Sequence, residues 1–173
     1  GLNRYDGYNF TIFRNDPADP NSIGFNSIIT LFQTSDGAIW VGTWGGGLYR
    51  YDPATSIFVR FPLASEEQSG VSNSVVTDIY ESPDGLLWVA TQNGLDSLSP
   101  ITGQGKHYVH DAANPDSLSS DVISVIAPAE GGNFWVGTGS YSNEGAGLNL
   151  FNPATGKAKK ISPSLNKRVS LQN

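Results

Sequence analysis

Trp40-Val41-Gly42-Thr43-Trp44-Gly45-Gly46-Gly47-Leu48-Tyr49-Arg50-Tyr51-Asp52-Pro53-Ala54-Thr55 is the stretch whose reading decides the fold. Ala38 to Thr43 reads as a strand, and the glycines at 45–47 turn the chain. Leu48-Tyr49-Arg50-Tyr51 alternates as a second strand, and Asp52-Pro53 opens another turn, with an aspartate able to bond nearby backbone amides. Working outward, Asp36-Gly37 is a hairpin signal, because glycine accepts the positive φ that tight turns need. Before it, Ile28-Ile29-Thr30-Leu31-Phe32 is apolar and β-branched, suiting a strand buried on both faces. After the stretch, Ile57-Phe58-Val59-Arg60-Phe61 completes a unit of four strands.

The unit recurs. Trp40-Val41-Gly42-Thr43, Trp88-Val89-Ala90-Thr91 and Trp135-Val136-Gly137-Thr138 follow one another at spacings of 48 and 47 residues. A turn precedes each, at Asp36-Gly37, Asp84-Gly85 and Gly131-Gly132. A Gly-Leu pair follows each, at Gly47-Leu48, Gly94-Leu95 and Gly147-Leu148. Asp52-Pro53-Ala54-Thr55, Ser99-Pro100-Ile101-Thr102 and Asn152-Pro153-Ala154-Thr155 then close the unit. No stretch shows a 3.6-residue period, and glycine or proline interrupts every window long enough for a helix. Four antiparallel strands per repeat of roughly 45 residues describe a blade of a β-propeller. The fold expected is therefore all-β, built of four-stranded antiparallel blades. The recurrent tryptophans are expected to pack between blades.

The phase of the repeat sets the organisation. Leu2 to Asp6 and Phe10 to Phe13 match the third and fourth strands, so residues 1–22 read as half a blade with its linker. Blades follow at 23–70, 71–117 and 118–161, and residues 162–173, with Val169-Ser170-Leu171, read as the start of another. That is about three and a half blades of a larger ring, since natural propellers usually have 4–8 blades. Such an arc exposes two blade faces, to be covered by the remaining blades or by self-association. With Gly1 first and no methionine, the chain reads as a piece of a longer protein.

Composition narrows the function. No apolar run approaches the ~18–20 residues of a membrane helix, so no membrane span is expected in this segment. There is no cysteine, which removes disulfides, thiol nucleophiles and zinc-finger patterns. His107 and His110 fall three apart in what reads as a strand, on opposite faces, so they do not chelate one metal. All 16 acids precede Lys157, and an acidic body argues against nucleic acid. Lys157, Lys159, Lys160, Lys167 and Arg168 read as a solvated edge strand, where lysine discourages stray pairing.

Trp-Val-Gly-Thr, Gly-Gly-Leu and Tyr-Asp-Pro-Ala-Thr, as in residues 40–55, resemble the two-component regulator propeller repeat. Gly1-Leu2-Asn3-Arg4-Tyr5-Asp6-Gly7 resembles the first-blade signature of those proteins. The segment from Asp16 to Ile23, echoed from Asp111 to Leu118, is similar to their linker between blades. Ala90, Ser99 and Gly131 depart from the pattern at single turn or strand positions. The resemblance implies a periplasmic or extracellular sensor region of a bacterial receptor. It further implies an immunoglobulin-like domain, a membrane helix and a kinase or cyclase output elsewhere in the protein, and a carbohydrate or other small ligand.

Catalysis needs convergent groups. Asp16, Asp19, Asp36, Asp52 and Asp84 instead occupy turn positions, and Gly45-Gly46-Gly47 lacks the lysine and helix of a phosphate loop. The chain is expected not to be an enzyme and to need no cofactor or metal. Candidate ligand-binding residues lie where one unit exceeds its siblings. The Gly-Leu pair falls 7, 6 and 12 residues past its tryptophan, and the longest connection carries Tyr141, Asn143 and Glu144. Tyr141 suits stacking on a sugar face, and Asn143 and Glu144 suit its hydroxyls. The matching connections hold Trp44 and the pair Gln92 and Asn93. A free-standing propeller for protein–protein docking or adhesion is the alternative, and a lyase or hydrolase propeller a third reading.

Overall fold

A computed structural model describes residues 1–65, 69–139 and 147–161. Its strands form one two-stranded and three four-stranded antiparallel sheets, each with its strands in chain order. The half blade is β1 (Leu2–Tyr5) and β2 (Phe10–Phe13). The first blade is β3 (Ile28–Gln33), β4 (Ile39–Thr43), β5 (Leu48–Asp52) and β6 (Ile57–Arg60). The second is β7 (Val76–Glu81), β8 (Leu87–Thr91), β9 (Gly94–Leu98) and β10 (Gly105–Tyr108). The third is β11 (Ile123–Pro128), β12 (Phe134–Thr138), β13 (Leu148–Asn152) and β14 (Lys157–Ile161). This is the β-propeller architecture expected from the repeat.

Turn chemistry joins the strands. At the β3–β4 hairpin the Thr34 amide donates to the Ala38 carbonyl at 2.9 Å and Gly37 adopts φ 84°. The Asp36 carboxylate accepts from the Ala38 amide at 3.0 Å and from the Thr34 hydroxyl at 2.6 Å. The hydroxyl of Thr34 and the amide of Ala38 hold that carboxyl below its ordinary value. Ser82, Asp84 and Gly85 repeat the arrangement in the second blade. In the third, where Gly131 stands in the aspartate position, the turn is a single 3-10 turn over Glu130–Gly132. Asp16, Asp19 and Asp52 likewise cap local amides. The acids assigned to turns thus serve as turn acceptors.

Blades stack through apolar faces. Between the first and second blades Trp40 meets Phe61 edge-on at 5.4 Å, among Val71, Val76, Ile79 and Leu98. Between the second and third, Trp88 stacks on Tyr108 at 5.7 Å and meets Phe134 and Phe151 edge-on at 5.0 and 5.5 Å. Its indole Nε1 donates to Ser82 Oγ at 3.0 Å. Polar stitches cross the same junctions. The Asp78 carboxylate accepts from the Ile126 amide at 2.8 Å on one side and from the Thr30 hydroxyl at 3.5 Å on the other. Glu81 accepts from the amide and hydroxyl of Ser35.

Three expectations need correction. The strand from Ile28 is not buried on both faces: Ile29 and Leu31 are 38% and 52% exposed. Leu31 lies opposite Val41 on the side of the half blade, which supplies only outer strands among the described residues. Trp135 is not packed like its counterparts: it is 36% exposed, against 1% for Trp40 and 2% for Trp88, because no described sheet follows the third blade. His110 lies beyond the end of β10 rather than in the strand. Its Nδ1 bonds the Leu118 carbonyl while His107 turns to Asp96, so the two rings do part company. The segment 162–173 lies outside the described residues.

Candidate functional site

The connections between second and third strands in the first two blades both reach the segment Ser74-Val75. In the first blade the chain leaves β4 with the Trp44 amide donating to the Ser27 carbonyl at 2.9 Å, and Trp44 bridges to Val75. The Gly45 and Gly47 amides then converge on the Ser74 carbonyl at 3.0 and 2.8 Å. Glycine is needed at both positions, since φ is 121° and 87°. The backbone under Trp44 is therefore pinned while its indole stays 48% exposed. From the second blade, the Gln92 amide donates to the Val75 carbonyl at 3.3 Å. Trp44 and Gln92 thus flank one segment, Ser74-Val75, where blades one and two meet. Asn93 is exposed beside them, its amide bonded to Thr91 Oγ1 at 3.0 Å. Tyr141, Asn143 and Glu144 lie outside the described residues.

Asn93 also borders a cleft of about 600 Å³, lined by Ser69, Gly70, Ser72, Asp96 and His107. Asp96 is 1% exposed. One of its oxygens accepts from the amide and hydroxyl of Ser72, both at 2.9 Å, and the other faces His107 Nδ1 at 2.8 Å. The hydrogen bond to Asp96 raises the pKa of His107 above its ordinary value, against the opposing effect of burial. Sequence reading passed over this pair because β9 and β10 must be in register before Asp96 and His107 become neighbours. The signal was present in the repeat. The positions of Asp96 and His107 hold Tyr49 and Arg60 in the first blade, and Asn149 and Lys160 in the third.

The basic strand expected near the end is β14, an edge strand whose Lys157 pairs with Asp116 at 2.7 Å. That carboxylate raises the lysine's pKa. No helix among the described residues is long and apolar enough to cross a membrane.

Successive four-stranded sheets stacked face to face define a run of β-propeller blades. Residues 22–45 and 70–93 match the sequence model of the two component regulator propeller. The fold is similar to the extracellular domain of a hybrid two component system from B. thetaiotaomicron, with a TM-score of 0.69 and 25% identity. That match covers 87% of this chain and 19% of the other. A second such domain from the same organism shares the fold with a TM-score of 0.70 at 24% identity, covering 91% and 21%. Histidine kinase P4 of Formosa agariphila is 33% identical over 74 residues, which are 43% of this chain and 5% of the kinase. The chain thus spans a small part of each relative's length.

Proposed function

We propose that this chain is an extracytoplasmic ligand-sensing segment of a two-component-type receptor, with a carbohydrate as its ligand, acting by binding rather than turnover. The observation that carries the reading is Trp44. It is a large aromatic held nearly half exposed by a backbone bonded to both neighbouring segments. A preset aromatic platform of this kind suits a sugar face, because it loses little conformational freedom on binding. Gln92 and Asn93 stand nearby to bond hydroxyl groups. Relatives that are extracellular domains of two component systems support the signalling role. A ligand shifts such a receptor only by its differential affinity for two arrangements, and a site at the seam between blades is placed to sense their spacing.

The test is a calorimetric screen of neutral oligosaccharides, repeated with Trp44→Ala. A ligand whose affinity falls about tenfold or more in the variant supports the platform, since ring contacts of this kind contribute on the order of 1 kcal/mol beyond area burial. Unchanged affinity removes Trp44 from the site. The exposed apolar faces favour a second element of the reading: they meet further blades or a second copy of the chain. Sedimentation of the isolated segment as a stable monomer counts against self-association.

A further inference from the structure

We propose that the cleft beside the outer strands of the second blade binds the carboxylate of a small organic ligand through His107, with Asp96 as its positioning residue. This goes beyond the sensing platform, with which it shares only Asn93, and it would hold equally in a free-standing propeller.

The repeat supplies an internal control. In the third blade Asn149 occupies the position of Asp96 and ties the linker between blades with an amide. Its Oδ1 accepts from the Ser119 amide at 3.1 Å and its Nδ2 donates to Ser119 Oγ at 2.9 Å. A neutral side chain therefore suffices to fasten the linker. The second blade uses a buried carboxylate for the same task and adds a histidine to it. Folding does not require that charge, so it calls for another explanation.

The geometry supplies one. Asp96 has three donors from Ser72 and His107, so it is not left as an acceptor for a ligand. With Nδ1 held by Asp96, the ring orientation is set and Nε2 has no hydrogen-bond partner among the described residues. Gly94, at φ 104°, makes the room: a Cβ there would stand 2.8 Å from His107 Cε1 and 2.5 Å from the Tyr108 carbonyl oxygen. The carboxylate behind Nδ1 favours the imidazolium, in which both nitrogens donate. Asp121 acts in the same direction, while Lys106 is the adjacent cation on β10; residues Ser69 to Ser72 carry no charge, and Glu66 and Glu67 before them lie outside the described residues. His107 Nε2, the Ser69 hydroxyl and the Asn93 side-chain Nδ2 thus offer donors to an acceptor-rich group, and a charge-assisted bond prefers an anionic oxygen. A volume of about 600 Å³ suits a ligand of monosaccharide size.

The experiment titrates the protein with D-glucuronate and with D-glucose, which share a ring and differ in the carboxylate, while NMR follows the imidazole signals of His107 and His110. Glucuronate is expected to shift His107 and leave His110 in place, and glucose to do neither. His107→Gln should weaken glucuronate binding about tenfold or more, the usual scale of a lost charge-assisted bond. Asp96→Asn, which copies the third blade and so preserves the tie to the linker, should weaken it in the same direction and move its loss with rising pH to lower pH, because the imidazolium is no longer favoured by the carboxylate. No shift at His107, equal response to the two sugars, or unchanged affinity in His107→Gln overturns the proposal.

Discussion

Trp88 and Trp135 stand at the same place in successive repeats, yet one is core and the other is surface. Trp88 is enclosed by Tyr108, Phe134 and Phe151 and bonds Ser82, while Trp135 is 36% exposed. The leucines that share the pattern behave alike: Leu48 and Leu95 are fully buried and Leu148 is 38% exposed. With Val125, Trp135 and Leu148 make an apolar face turned away from the second blade. The half blade ends the other side of the arc with Tyr5 and Phe10, stacked at 4.7 Å and both mostly exposed. A blade therefore does not bury its own core. It offers two half-interfaces, and the burial of a repeat residue is a property of its neighbour.

That comparison is open to attack in order of expected effect. Trp88→Ala should destabilise the chain by about 3–5 kcal/mol in denaturant unfolding, the scale of an aromatic truncated inside a packed core. Trp135→Ala should cost less than about 1 kcal/mol, as exposed positions do. Similar losses at the two positions would mean that Trp135 is covered in solution, and concentration-dependent stability would then identify a second copy as the cover. Next, Asp78→Ala should cost about 1–3 kcal/mol, because it leaves the Ile126 amide without its acceptor at a closed junction. A cost near zero there would show that apolar contact alone joins the blades.

The smallest effect is electrostatic. His107 has its pKa raised mainly by the hydrogen bond to Asp96, so its contribution to stability is fully present below the ordinary histidine value of 6.5. That contribution is lost as pH rises through the higher folded-state value. Thermal unfolding across this window should show a small decline that His107→Gln abolishes. The partial exposure of the ring keeps it small, since solvent screens the pair. A decline that persists in the variant would place the titration elsewhere.

Much of the architecture could be read before any coordinates. The tryptophan spacing, the Asp-Gly turns and the Gly-Leu pairs are local signals, and β4, β8 and β12 contain the three Trp-Val motifs and end at their Thr43, Thr91 and Thr138. Alternation along a strand says which residues share a face, but not what lies against that face. Leu31 looked like core because it is apolar, and Trp135 because its siblings are core; both face sides that no described inner strand covers. The candidate platform was legible as loop residues, Trp44, Gln92 and Asn93. The attachment of Trp44 and Gln92 to Ser74-Val75 was not, because that segment belongs to the linker between two blades.

The sequence by itself determined the unit of this protein: four strands, their turns, and the number of times they recur. These follow from glycine, aspartate and apolar alternation acting over a few residues. The tertiary structure alone decided which repeated side chains are buried and which polar ones meet. Ser72, Asp96 and His107 come from a linker and two strands, and only the β9–β10 register and the seating of the linker bring them within hydrogen-bond distance. Local propensity acts along the chain, whereas burial and charge pairing act through space. In a repeat fold it is the neighbouring blade that sets them.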